Sequence, residues 1–240
     1  MRRAPEWLTR WEYAHRGLHS SEVPENSLAA AKAAIAAGLG IECDIQRSSD
    51  GQAMVFHDWE LDRLTAASGI TEEHTRAALE SLTLRSNGEP IPSIEAFLVC
   101  VSGAVPLLIE IKSKPDYDVE QSCKAVADAV RHYSGDFAVM SFDPRVSAWF
   151  HKEEPSVAAG LVMREDGYGY TQTQEAREAA FAEAEPDFLA YHVVALANPW
   201  VEELRKSGLP VLTWTVNSPD ARAHALKFAN ALISEGEGLA

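Results

Sequence analysis

The chain has 240 residues, 46% of them hydrophobic and 24% charged, which excludes a disordered, collagen-like or disulfide-stapled chain and supplies a core large enough to fold without disulfide or metal. Its 36 Asp and Glu against 21 Lys and Arg leave a formal charge of −15 with the histidines neutral, a balance that repels nucleic acid and anionic headgroups and attracts cations. No apolar run approaches the ~20 residues of a membrane span.

The chain opens with Trp7, Leu8 and Trp11 on one face of a short helix, placed to plug the bottom of a barrel. Short apolar or β-branched runs then recur at 13–16, 40–46, 106–112, 137–143, 157–163, 188–194, 209–216 and 229–234. Helical patterns separate them. The alanine-rich run 28–37 stops at Gly38, a C′ glycine, and Ile94, Phe97, Leu98 and Val101 recur at i, i+3, i+4 and i+7 after Ser93. Asp143-Pro144, Asn198-Pro199 and Ser218-Pro219 each set a capping oxygen before a proline suited to the first helical position. Eight strand–helix units in a chain of this length predict an α/β fold, a (β/α)8 TIM barrel of typical length ~250. A doubly wound open sheet shares the same alternation. The second and third strands are separated by residues 47–105, so the chain reads as a single barrel domain, 1–240, with a small insertion after strand two at roughly 58–90, placed above the barrel mouth and containing a helical stretch at 71–82.

Strand two, Ile41-Glu42-Cys43-Asp44-Ile45, alternates with period two, which puts Glu42 and Asp44 on one face and Cys43 among the apolar residues that face the helices. Strand three places Glu110 and Lys112 on one face in the same way. One inward charge at a strand end is ordinarily solvated or ion-paired; two neighbouring strands with three carboxylates supply the hard oxygens that Mg²⁺ or Ca²⁺ requires. With Asp50-Gly51 as a two-residue hairpin turn, Asp44 lies opposite His57 and the histidine joins the acids. His15-Arg16-Gly17 ends strand one, where a barrel carries catalytic residues, and an Arg fork suits phosphate or carboxylate. Trp214 shares a face with Leu212 and Val216, either the interior or the helix side; Tyr191 and His192 also fall near a strand end. His19, His74, His132, His151 and His224 read as solvated. Together the mouth holds two histidines, three carboxylates, an arginine and a lysine, a set suited to metal-assisted phosphodiester chemistry.

The segments AHRG (14–17), PENS (24–27), GIECDIQRSSDGQAMVFHD (40–58), LDRLT (61–65), IPSIEAFL (91–98), LLIEIK (107–112), SFDP (141–144) and LTWTVN (212–217) resemble, in family order, the glycerophosphodiester phosphodiesterase family. The resemblance implies a (β/α)8 barrel with an insertion after strand two. It also implies Glu42, Asp44 and Glu110 as ligands of a divalent metal, Mg²⁺ or Ca²⁺, and His15 and His57 as the acid/base pair. Arg16 and Lys112 would hold the phosphate, and Trp214 would line the glycerol or leaving-group side. The implied reaction is hydrolysis of glycerophosphodiesters to glycerol 3-phosphate and an alcohol, in which the glycerol 2-hydroxyl attacks phosphorus to give a cyclic phosphate.

Two departures stand out: Cys43 replaces a larger aliphatic residue, and the run from Asn230 to Gly238 (NALISEGEG) stands where the family usually has a Thr-Asp step, a proline and a further short helix. The expected partner is a small-molecule glycerophosphodiester from a deacylated phospholipid, with no nucleic acid and no stable membrane association. A lysophospholipase D-type enzyme would need an exposed apolar patch at the mouth, and a non-catalytic binding module would keep the fold without turnover. The spacing of Cys43, Cys100 and Cys123 fits neither a metal pattern nor a disulfide framework. With a start, MRRAPEWLTRW, that lacks the apolar stretch of a signal peptide, the expected compartment is the cytoplasm.

Overall fold

The alternating runs become alternating elements in the structure, a computed structural model that describes residues 4–240. Met1, Arg2 and Arg3 of the start discussed above lie outside the described residues. The elements in chain order are β1 (Tyr13–Ala14), α1 (Leu28–Ala37), β2 (Gly40–Arg47), β3 (Ala53–Val55), α2 (Arg76–Ser81), α3 (Ile94–Val101), β4 (Leu107–Ile111), α4 (Val119–Val130), β5 (Phe137–Ser141), α5 (Pro144–Glu153), β6 (Ala158–Met163), α6 (Gln174–Ala184), β7 (Phe188–His192), α7 (Pro199–Lys206), β8 (Val211–Val216), α8 (Pro219–Phe228) and β9 (Ala231–Ser234).

Helix boundaries follow side-chain chemistry. Ser27, Ser93, Asp143, Asn198 and Ser218 each accept a backbone N–H of the first helical turn that follows them, satisfying donors that have no intrahelical partner. Gly38 closes α1 in the left-handed region, φ 70°.

The order β1-β9-β8-β7-β6-β5-β4-β2, with β1 also paired to β2, closes the sheet. Every pair within the ring is parallel, and β1 seals it with Tyr13 opposite Gly40 on one side and Ile233 on the other. The result, among the described residues, is an eight-stranded parallel TIM barrel and not an open sheet. After β9 the described residues form only a 3-10 turn, Gly236–Gly238, so the ring is complete without a helix following its last strand.

Period two divides each strand between two apolar layers. Ile41, Cys43, Ile45, Ile109 and Ile111 face outward against Phe97, Leu98 and Val126 of α3 and α4. Leu108, Ala138, Met140, Val162, Ala190, Leu212 and Ile233 face inward and fill the barrel. Its bottom is plugged as expected: in the 3-10 turn Glu6–Thr9, Leu8 is fully buried against this inner cluster, with Trp7 and Trp11 beside it, and the Tyr13 hydroxyl donates to the Leu8 carbonyl.

Leu61, Leu79 and Leu84 of the insertion form a small core with Met54, Phe56 and Ile91, which flank it. The insertion meets the barrel at the mouth, where Trp59 packs edge-on against Tyr117 and beneath the Lys114 ammonium.

Two local expectations are corrected. The β2–β3 hairpin pairs Ile45 with Val55 and Arg47 with Ala53, one residue away from the register that an Asp50-Gly51 two-residue turn requires. Ser49, Asp50 and Gly51 form a three-residue loop, in which Gly51 takes φ 79° and its N–H bonds the Ser48 carbonyl. The Asp50 carboxylate holds this loop by accepting from the Ser48 hydroxyl and the Arg76 N–H. In β8 the pairing with β9 shifts between Thr213 and Val216. Trp214 therefore stays with Leu212 on the inner side while Val216 turns to the helices, so the two do not share a face. Among the described residues no helix is long and apolar enough to cross a membrane.

Candidate active site

The carboxyl ends of β1, β2, β4 and β9 carry the charged groups. Glu42 and Asp44 project inward from β2, and parallel pairing sets Asp44 beside Glu110 of β4. The three carboxylates are buried, and they offer oxygens that all lie within 4.8 Å of one another. Just beyond β4, the Lys112 ammonium sits between two of them, 2.7 Å from Asp44 Oδ1 and 2.5 Å from Glu110 Oε1.

Arg16 enters the same cluster from the end of β1. At φ 55°, a left-handed conformation uncommon outside glycine, its backbone N–H donates to Glu42 Oε2 at 2.9 Å while its Nε lies 3.3 Å from Asp44 Oδ2. Gly17, next in the chain at φ 77°, passes so close to α1 that an added Cβ would stand 2.8 Å from the Ala30 Cβ.

Burial pushes the Glu42 carboxyl well above its ordinary range, aided by the charges of Asp44 and Glu110 and opposed by the Arg16 N–H. Burial acts on Asp44 in the same direction, but Lys112, His57 and Arg16 outweigh it and hold this carboxyl below the usual range. For Lys112, burial disfavours the ammonium and the Asp44 and Glu110 charges prevail, so it stays protonated.

His15 and His57 flank the acids, and each is tied to a carboxylate through Nδ1. His15 Nδ1 lies 2.6 Å from Glu235 Oε2, with its Nε2 4.0 Å from Glu42; His57 Nδ1 lies 2.6 Å from Asp58 Oδ1. The His15 hydrogen bond and the nearby His19 ring hold Glu235 below the usual carboxylate range. Burial would raise Asp58, but His57 and Arg63 lower it. Ionised carboxylates only accept, so each ring carries a proton on Nδ1 and presents Nε2.

His57 reaches the site by a different route from the expected one. Asp44 stands opposite Phe56, whose N–H bonds the Asp44 carbonyl; His57 follows the last ladder residue, where period two no longer governs side-chain direction. Its carbonyl accepts from Gln46 Nε2, and it lines a cavity of about 390 Å³ with Trp59, Glu110, Lys112, Phe142 and Arg164.

Trp214 lies one layer behind this wall. Its ring packs edge-on against Phe142, 5.3 Å between centroids, under the Arg164 guanidinium and beside His192, and its Nε1 donates to the Ala190 carbonyl. Tyr191 faces the helices and donates to Glu165.

Several side chains that hold this cluster were not assigned from the sequence. Asn26 clamps Asp44 with two hydrogen bonds, Nδ2 to Oδ2 at 2.9 Å and Oδ1 from the Asp44 N–H at 3.1 Å. Glu25 accepts from Arg16 and from Arg63, and Arg63 also grips Asp58, so a chain of alternating charges links the two histidine sides. The PENS and LDRLT segments were the available signal. Glu235 carried a signal only as a departure. Of the histidines read as solvated, His19 lies 3.4 Å from Glu235 and His151 bonds Asp187 at 3.1 Å, so that reading is corrected for both.

Acids, histidines and bases gathered at the carboxyl mouth of a parallel barrel define a hydrolase of phosphoric diesters. A sequence profile of the Glycerophosphoryl diester phosphodiesterase family matches residues 15–233, and the chain belongs to that family. YhdW of Bacillus subtilis (strain 168) is 30% identical over 223 residues, 88% of this chain and 87% of that protein. Glycerophosphodiester phosphodiesterase 1 of Bos taurus is 24% identical over 244 residues, 88% of this chain and 73% of that protein. An Oleispira antarctica phosphodiesterase, solved in complex with the product sn-glycerol-3-phosphate, shares the fold with a TM-score of 0.80 at 23% identity, covering 93% of this chain and 92% of that one.

Proposed function

We propose that this chain is a metal-dependent enzyme that hydrolyses water-soluble glycerophosphodiesters to glycerol 3-phosphate and an alcohol, with His15 and His57 as the acid/base pair. The observation that carries this reading is the pairing of both histidines with a carboxylate at Nδ1, on either side of a buried three-carboxylate cluster. The Oleispira antarctica relative, held with sn-glycerol-3-phosphate, supports the choice of product.

The residues fit a divalent cation. Glu42 Oε1 is buried without a hydrogen-bond partner, and two cationic side chains, Arg16 and Lys112, balance the three neighbouring carboxylates only in part. Hard oxygens alone suit Mg²⁺ or Ca²⁺, and Glu42, Asp44 and Glu110 would hold it. A bound divalent ion there would neutralise phosphate charge as it builds up at phosphorus.

Arg16 and Lys112 bind and orient the phosphate oxygens. One histidine accepts the proton of the glycerol 2-hydroxyl at Nε2 as that oxygen attacks phosphorus, and the other gives its Nε2 proton to the departing alkoxide. The cyclic phosphate then opens by addition of water with the two roles exchanged, which restores both rings. Asp58 and Glu235 keep each ring in the tautomer and orientation this requires. The Phe142 wall, with Trp214 packed behind it, borders the glycerol or leaving-group side. In the same reading the chain is one barrel domain with its insertion at 58–90, works in the cytoplasm in keeping with its three unpaired cysteines, and has neither nucleic acid nor a membrane as a stable partner.

The test is release of glycerol 3-phosphate from glycerophosphocholine, glycerophosphoethanolamine and related diesters with Mg²⁺, with Ca²⁺ and with EDTA. Release that depends on the cation, and is lost in Glu42→Ala, is expected. No release from folded protein with any cation would overturn the reading in favour of a lysophospholipid substrate or a binding module.

A further inference from the structure

The register that closes the barrel creates a second cluster of metal-ligating atoms beside the carboxylates. Parallel pairing of Ala14 with Ser234 brings the next residues, His15 and Glu235, side by side, and the His15 N–H bonds the Ser234 carbonyl at 2.9 Å. His19, from the loop that leaves β1, completes a trio whose donor atoms all lie within 4.8 Å of one another. Its Nε2 stands 3.4 Å from Glu235 Oε2 and is buried without a hydrogen bond. An orphaned imidazole nitrogen is costly unless something takes its lone pair or its proton. All three residues keep partial access to solvent, with side chains 14% (His15), 25% (His19) and 29% (Glu235) exposed, so an ion can enter.

We propose that His15, His19 and Glu235 form a separate site for a borderline transition-metal ion of the Zn²⁺ class. Two imidazole nitrogens and one carboxylate oxygen are the donor set of such ions, whereas the neighbouring Glu42–Asp44–Glu110 cluster offers oxygen only. The mouth thus carries two sites of different chemical preference, and they touch through His15. Zn²⁺ on His15 Nδ1 takes the lone pair that the ring needs in order to exchange protons. The Nδ1 proton moves to Nε2, and the ring presents there a fixed N–H that is neither a base nor a competent acid. Occupancy therefore stops turnover. This inhibitory consequence rests on the role proposed for His15; the existence of the site does not.

The experiment is equilibrium dialysis of Zn²⁺ against the full chain with Mg²⁺ saturating, repeated on His19→Ala and on the more conservative His19→Gln. Visible absorption of the Co²⁺-loaded proteins reports whether nitrogen ligands are present. The wild-type chain is expected to bind one equivalent of Zn²⁺. Both variants should bind it roughly tenfold or more weakly, the least expected when a direct ligand is lost, and should escape Zn²⁺ inhibition at concentrations that silence the wild type. Zn²⁺ binding of equal strength in the wild type and both variants would overturn the proposal, as would a Co²⁺ spectrum unchanged by loss of His19. Because dialysis needs no turnover, a chain inactive on every diester would refute the proposed function and leave this site to be decided separately.

Discussion

Replacing Lys112 by Met removes the one ammonium that lies between Asp44 and Glu110, at 2.7 and 2.5 Å, and keeps most of the side-chain volume. At an effective dielectric near 20, each contact is worth ~6 kcal/mol of Coulomb attraction, most of which is offset in the native protein by stripping water from the buried ions. Breaking such a pair leaves the desolvation unreturned, with a net loss of about 3–5 kcal/mol. For a chain of this size that is a fall in Tm of roughly 6–20 °C. The assay is thermal unfolding followed by circular dichroism in EDTA and again in saturating Mg²⁺. The cluster, now one positive charge poorer, should regain part of the loss when a cation binds, about 2.7 kcal/mol at a hundredfold excess over Kd. A loss below ~1 kcal/mol in EDTA would refute the reasoning, since it would mean that the carboxylates are not held together by this ammonium.

Other outcomes follow from the same geometry. His57→Ala and His15→Ala should each lower kcat by about 10²–10⁴ in protein that still folds, with the modest stability loss expected when Asp58 or Glu235 loses its imidazole partner; near-normal turnover in either would remove that residue from the acid/base pair. Asn26→Ala withdraws both hydrogen bonds from the Asp44 side chain and backbone, at a cost of roughly 1–3 kcal/mol in stability, measurable in urea. Asp44, Asp58 and Glu235 all have folded values below their unfolded ones, so their stabilisation is present above pH ~4 and is lost as the pH falls below it. Glu42 behaves oppositely: its protonated form favours the fold, that contribution fades as pH rises, and the cation that requires its ionised form should raise Tm more at about pH 8 than at about pH 5.5. An equal rise at both would argue against Glu42 as a ligand.

Much of the fold and part of the site were legible because they rest on short-range rules. Capping oxygens before Pro144, Pro199 and Pro219 begin helices wherever the chain is placed, as α5, α7 and α8 do. Period two in β2 and β4 is enough to set Glu42, Asp44 and Glu110 on the inner face and Cys43 on the outer. The hairpin register failed because Asp-Gly serves both a two-residue turn and a three-residue loop with glycine at its left-handed position, and the Asp50 bonds to Ser48 and Arg76 that select the latter involve a residue 26 positions away. The pairing of Trp214 with Val216 failed because a shift in the β8–β9 register interrupts the alternation that the sequence displays.

What the sequence determined alone is the order of elements and the set of charged residues on each strand, since backbone sterics and apolar periodicity act within a few residues. What only the tertiary structure decided is which strand ends become neighbours. Ring closure places β1 against β9 and joins His15 to Glu235 across 220 residues of chain. It brings His19 alongside, and it threads Glu25 and Arg63 between the two histidines. Each of these contacts depends on the tilt and register of the whole barrel, a condition that no short segment carries.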